Sequence, residues 1–145
     1  MALNHRIITT LRRVRTFFKP TQQGAISERL VARYLKSAGY RILGCNLRNR
    51  FGEVDILAEA PDRRTIVVVE VKSRAGHADR GFSNVAPEMR VGHHKQRQLV
   101  ALACQMARQY RLTERPIRFD VVGVDLPQDT AAVIRHHIGA FESHV

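Results

Sequence analysis

Along this chain the spacing of apolar residues changes several times, and each change marks an element. From Ala25 to Ala38 they recur at helical spacing, with Ile26, Leu30, Val31, Tyr34, Leu35 and Ala38 on one side and Arg29, Arg33 and Lys36 on the other. Gly39 follows as a C-terminal cap. Tyr40 to Leu47 reads as a strand. Gly52 opens a second, from about Glu53 to Glu59, and Ala60-Pro61-Asp62-Arg63-Arg64 is turn material. Thr65 to Val71 is rich in β-branched residues and predicts a third strand. Ser73 to Arg90 has no apolar period and contains Gly76, Gly81 and Pro87, so it predicts a long polar loop. Val91 to Tyr110 predicts a second helix, basic at its start (His93, His94, Lys95, Arg97) and apolar later (Leu99, Val100, Leu102, Ala103, Met106). Pro116 to Asp125 and Ala131 to Ile138 complete the strands, with Pro127-Gln128-Asp129 as their turn. The order is α-β-β-β-α-β-β. A helix between strands predicts one parallel crossover, hence an α/β fold with a mixed sheet flanked by helices.

Before these elements lies a different stretch. Leu3, Ile7, Leu11, Val14 and Phe18 share a helical period, interleaved with Arg6, Arg12, Arg13, Arg15 and Lys19 and no acid. Residues 1–23 therefore read as a basic amphipathic arm, and residues 24–145 as a single domain, with Lys19 to Gly24 as the linker. Such an arm packs on the domain or touches phosphates. Its composition is also that of a transit peptide or of a helix lying on a membrane.

The totals narrow the partners. A chain of 145 residues suits one domain, and 44% hydrophobic with 26% charged residues is an ordinary soluble composition. A formal net charge of +11 argues for a polyanionic partner, nucleic acid ahead of membrane. Cys45 and Cys104 have no C-x-x-C neighbour and no zinc spacing, so they read as free thiols of a cytoplasmic protein. No apolar run approaches the ~20 residues a membrane helix needs. No G-x-S-x-G or comparable nucleophile motif is present.

The hairpin from Phe51 to Arg74 carries the candidate chemistry. Period-two alternation puts Glu70 and Lys72 on one face of their strand and Val67, Val69 and Val71 on the other. If the hairpin pairs about a turn centred near Asp62 and Arg63, Asp55 falls opposite or next to Glu70. Like charges directly opposite on a sheet repel. At ~4 Å that repulsion costs ~1 kcal/mol in water and about 4 at an effective dielectric near 20. A hard divalent cation would cancel it, since Mg²⁺ is held by one or two carboxylates plus water and phosphate oxygens. Lys72, pointing the same way, would position a water nucleophile or hold a phosphate oxygen. The bland alternative is structural: Glu53 opposite Lys72 as a cross-strand ion pair, and Asp55 paired with Arg63, Arg64 or another arginine.

Asp55 followed by Glu70-Val71-Lys72 resembles the D…(D/E)-x-K signature of the restriction-endonuclease-like nucleases, which include archaeal Holliday junction resolvases. GEVDILA, VVVEVKSR, RFDVVGV and HHIGAFE resemble, more closely, the YraN-like family of uncharacterised bacterial proteins. That likeness runs from about Gly24 to Phe141. It implies a restriction-endonuclease-like fold and hydrolysis of phosphodiester bonds, with Mg²⁺ or Mn²⁺ on Asp55, Glu70 and the Val71 carbonyl. It also implies a first-helix Glu at the metal, because Gly24 to Glu28 resembles that segment; the alternative is that Glu28 simply favours the helix dipole. Lys95 and Gln98 resemble polar second-helix positions of the family.

The expected function is nucleic-acid binding, DNA ahead of RNA, with metal-dependent endonuclease chemistry on Glu28, Asp55, Glu70 and Lys72. Arg29, Arg33, Arg74, Arg80, His94 and Lys95 are the candidate nucleic-acid contacts, with His77 and Arg90 beside them in the polar loop. The alternatives are a non-catalytic binding module of the same fold, or a basic scaffold docking RNA or a protein. Resolvases of symmetric junctions act as dimers, so a homodimer is compatible. Asp120 and Asp125 read as edge or turn charges.

Overall fold

The computed structural model describes residues 22–75 and 91–142. Its elements in chain order are α1 (Gln22–Ser37), β1 (Arg41–Asn49), β2 (Gly52–Glu59), β3 (Ile66–Ala75), α2 (His93–Gln109), β4 (Ile117–Leu126) and β5 (Val133–Phe141). The strands form one five-stranded sheet in the spatial order β1-β2-β3-β4-β5. Neighbours are antiparallel except β3 and β4, which are parallel and joined through α2. This is the α/β architecture that the periodicities predict.

Several expected boundaries change, among them the last strand, which spans Val133–Phe141 rather than ending at Ile138. Gln22 to Gly24 belong to the first turn of α1 rather than to a linker. The third strand continues through Ser73 and Arg74 to Ala75, because β4 supplies backbone partners along its whole length. The remaining arm, residues 1–21, and the polar loop at 76–90 lie outside the described residues.

Gly39 ends α1 as expected. Its φ is +89°, a conformation that side-chain-bearing residues rarely adopt. There the Tyr40 N–H reaches back to the Leu35 carbonyl (2.9 Å) and the Gly39 N–H to Lys36 (3.1 Å), which is the Schellman arrangement.

The sheet separates two apolar cores. Val31 and Leu35 of α1 pack with Ile56, Ala58, Val67, Val69, Val122 and Val124. Leu99, Leu102, Ala103 and Met106 of α2 pack with Leu47, Val54, Leu57, Val68 and Phe119. Burying each such Val or Leu contributes about 1.5–3 kcal/mol, so both helices are held by their apolar stripes. On β3 the alternation is strict: Val67 and Val69 serve the α1 side, Ile66 and Val68 the α2 side.

On β2 the alternation fails at one place. Val54 joins the α2 core, yet Ile56 joins the α1 core, although residues two apart in a strand share a face. The partner strand does the same thing opposite: Leu47 pairs with Val54 and Cys45 with Ile56. The ribbon turns over between these pairs, at Asn46 and Asp55. Asn46 sits there at φ +52°, a left-handed conformation that asparagine tolerates better than most residues.

Candidate metal centre

The β2–β3 ladder runs from Glu59↔Ile66 to Ile56↔Val69. The same register would set Asp55 across from Glu70, but the ladder ends one step earlier. Instead the Asp55 carboxylate accepts the Val71 N–H through Oδ2 at 2.7 Å. The side chain takes the place of a ladder hydrogen bond, and β2 forks away from β3 at that point. Glu70, one residue earlier on β3, is buried at 7% side-chain exposure. Its Oε1 lies 3.1 Å from Lys72 Nζ, and its Oε2 lies 3.3 Å from Lys95 Nζ of α2. The second contact is close in charge but lacks hydrogen-bond geometry, so Oε2 is a buried oxygen without a hydrogen bond.

These surroundings set the protonation of Asp55. Burial pushes its carboxyl up, the neighbouring Glu70 charge pushes it further, and the Val71 N–H opposes both; the result is about 7. Glu28, half-buried on α1, is also pushed up by burial, against a hydrogen bond from Asn46, with Glu53 adding to the rise. Its charge acts on Asp55 as well. The Asn46 Nδ2 donates to Glu28 Oε2 at 2.8 Å.

Two structural pairings considered from sequence do not form. Glu53 pairs with Arg48 rather than Lys72, because Lys72 turns to Glu70. Arg63 turns to Glu59, not to Asp55. Asp120 is no edge charge. It is buried at 0% side-chain exposure, held by Arg118 through both oxygens (2.8 Å each), by His136 Nε2 (2.8 Å) and by the Gly139 N–H (3.0 Å). Burial alone would raise its carboxyl, but the hydrogen bonds from His136 and Arg118 outweigh it and hold it low. A β5 irregularity with Gly139 at φ +63° supplies that N–H, and the spacing of Asp120 and His136, on neighbouring strands, gave no sequence signal for it.

The donor set suits a hard cation. Asp55 and Glu70 offer carboxylate oxygens, one of them buried without a hydrogen bond, and the Val71 carbonyl belongs to the residue that anchors Asp55. Among the described residues no group of three or more His, Cys, Asp or Glu side chains converges as a metal cage. Any cation here would keep water, as Mg²⁺ normally does. The candidate basic contacts divide. Arg29, Arg33 and His94 are exposed. Lys95 faces Glu70. Arg74 is engaged by Asp125, which Arg135 also binds, and those guanidinium groups hold the Asp125 carboxyl at about 2. Arg80, with His77 and Arg90, falls outside the described residues. A surface recess of about 460 Å³ on α2, lined by His93, Arg97, Val100 and Cys104 with Glu142, contains none of the candidate carboxylates. Among the described residues no helix is long and apolar enough to cross a membrane.

Fold and site together define a mixed α/β domain with paired carboxylates at a strand fork. The chain belongs to a family described as "Uncharacterised protein family UPF0102", whose pattern matches residues 27–124. It is 43% identical over 112 residues to a UPF0102 protein of Syntrophus aciditrophicus, covering 75% of this chain and 83% of the relative. A UPF0102 protein of Pelobacter propionicus is 37% identical over 119 residues, covering 82% and 81%. One of Alkaliphilus oremlandii is 44% identical over 105 residues, covering 71% and 84%. Among solved structures, "The structure of Pyrococcus Furiosus SfsA in complex with Ca2+" is similar at a TM-score of 0.32 and 13% identity. That match covers 81% of this chain and 63% of the other.

Proposed function

We propose that this protein is a divalent-cation-dependent endonuclease that binds nucleic acid, DNA ahead of RNA, and hydrolyses phosphodiester bonds in the manner of the resolvases it resembles. The observation that carries the reading is Asp55 at the β2–β3 fork: a half-buried carboxylate held at about 7 beside the buried carboxylate of Glu70, with Lys72 and Lys95 on Glu70. Strained charge of this kind concentrates at functional sites.

In this reading Asp55, Glu70 and the Val71 carbonyl hold Mg²⁺ or Mn²⁺. Bound there, the cation supplies a lowered water pKa and neutralises charge developing on phosphate. Lys72 does the remaining electrostatic work. Its ammonium has three donors and no acceptor, one of them directed at Glu70, and its side chain is 42% exposed. The others can orient the attacking water or hold a non-bridging phosphate oxygen. Glu28, half-buried beside Asp55, assists directly or through water. Cytoplasmic location and a homodimer facing a symmetric junction belong to the same reading.

One observation favours a binding module without turnover: the two lysines already compensate Glu70. A screen over single-stranded, duplex, flap and four-way DNA and RNA, with Mg²⁺ or Mn²⁺ against chelator, decides between them. Asp55→Asn, Glu70→Gln and Lys72→Ala should each abolish cleavage while leaving nucleic-acid binding intact. Mg²⁺ should raise the thermal midpoint of the wild type and not of the two carboxylate variants. No Mg²⁺ response and no cleavage of any substrate would leave the binding module standing.

A further inference from the structure

We infer that Asn46 is a positioning residue of this site: its left-handed backbone turns the β1–β2 ribbon over at Asp55, and its amide holds Glu28 beside that carboxylate. The inference rests on the cation-site reading above.

Two observations meet at this residue. The first is the backbone. A non-glycine residue at φ +52° inside a strand is unusual, and such strain persists where surrounding structure demands it. On either side the ladder stays in one register, Cys45↔Ile56 and Leu47↔Val54, so no residue is inserted. The turn-over is therefore made by conformation at Asn46, and it lies directly across from the residue whose carboxylate forms the fork. The second is the side chain. Nδ2 donates to Glu28 Oε2 at 2.8 Å, across 18 residues of sequence. Glu28 stands near Glu53 and Asp55, whose like charges would push an untethered carboxylate toward solvent. Glycine would satisfy the backbone alone. An amide adds what glycine lacks, a neutral donor that fixes a carboxylate without neutralising it.

Backbone and amide can be tested apart. Asn46→Gly keeps the left-handed conformation and deletes the donor. Asn46→Asp tolerates the conformation but turns donor into acceptor. Asn46→Asp with Glu28→Gln restores a hydrogen bond with the roles exchanged and moves the charge off α1. Three quantities are read: the metal-free thermal midpoint, Mn²⁺ affinity by calorimetry, and kcat and KM on a DNA that the wild type cuts. Asn46→Gly should fold with a near-wild-type midpoint and unchanged KM, but lose on the order of tenfold in Mn²⁺ affinity and in kcat, as when a residue that orients a metal's surroundings is removed. The double variant should recover the midpoint lost by Asn46→Asp without recovering affinity. Wild-type affinity and kcat in Asn46→Gly overturn the inference while leaving the cation site intact, as does full recovery in the double variant. A wild type that binds no Mn²⁺ overturns the cation site and this inference with it.

Discussion

Asp55, half-buried, and Asp120, fully buried, lie in one sheet, and their surroundings push them in opposite directions. Asp120 has a guanidinium, an imidazole and a backbone N–H. Asp55 has one N–H and a carboxylate neighbour. For Asp55 the folded value of about 7 exceeds the ordinary 3.8. Its neutral form is the stable one in the fold, so its contribution is intact below about pH 4 and is lost as pH rises through about 7. The metal-free wild type should therefore lose stability relative to Asp55→Asn across that window, and urea titrations of both proteins at pH 5 and pH 8 measure the difference. A constant gap would mean that Asp55 is ionised throughout. A cation must displace the same proton, so Mg²⁺ affinity should climb between pH 5 and 7 and level off above. Asp120→Asn should behave in the opposite way and destabilise by about 3–5 kcal/mol, because it breaks a buried pair and leaves Arg118 uncompensated.

At the scale of elements, the caps and strands follow local chemistry closely enough to be tested singly. A Cβ at position 39 would meet only the Pro61 side chain, Cγ at 3.5 Å and Cβ at 3.6 Å, both ordinary contacts, so Gly39→Ala probes the backbone alone. It should cost about 1–2 kcal/mol, the penalty of a left-handed residue with a side chain, and a larger loss in chemical denaturation would point to packing instead. The same locality explains what was legible. Helix periods, the valine run and Gly39 each act within a few residues, so the element order and the hairpin register could be read directly. The fork could not. It depends on Asn46, placed within a strand that periodicity alone called regular; the available signal was a poor strand former with a taste for positive φ. Ser73 and Arg74 looked like loop because their strand partners, Val124 and Asp125, arrive from beyond α2. Asp120 looked like an edge charge because its partners, Arg118 apart, are His136 and Gly139 of β5, distant in sequence.

The whole molecule carries +11, and where that charge is free decides how it meets a polyanion. Arg74 and Arg135 both bind Asp125, and Arg41, Arg63 and Arg115 surround the buried Glu59, so these cations are already compensated in part. Arg29 and Arg33 differ. They are exposed on α1, the helix that also carries Glu28, and under the proposed function they are candidate phosphate contacts. Each phosphate neutralised on duplex DNA releases about 0.9 counterion, which appears as the slope of log affinity against log salt. Arg29→Ala with Arg33→Ala should reduce that slope by roughly 2 and weaken binding alike for all sequences, since phosphate contacts carry no base readout. Arg74→Ala should change the slope less, because its guanidinium would first have to leave Asp125. Fluorescence anisotropy on one duplex from low to moderate salt, repeated on a second duplex of unrelated sequence, measures both quantities. An unchanged slope in the double variant would move the interface away from α1, and the candidate fork would then need a different approach path for its substrate.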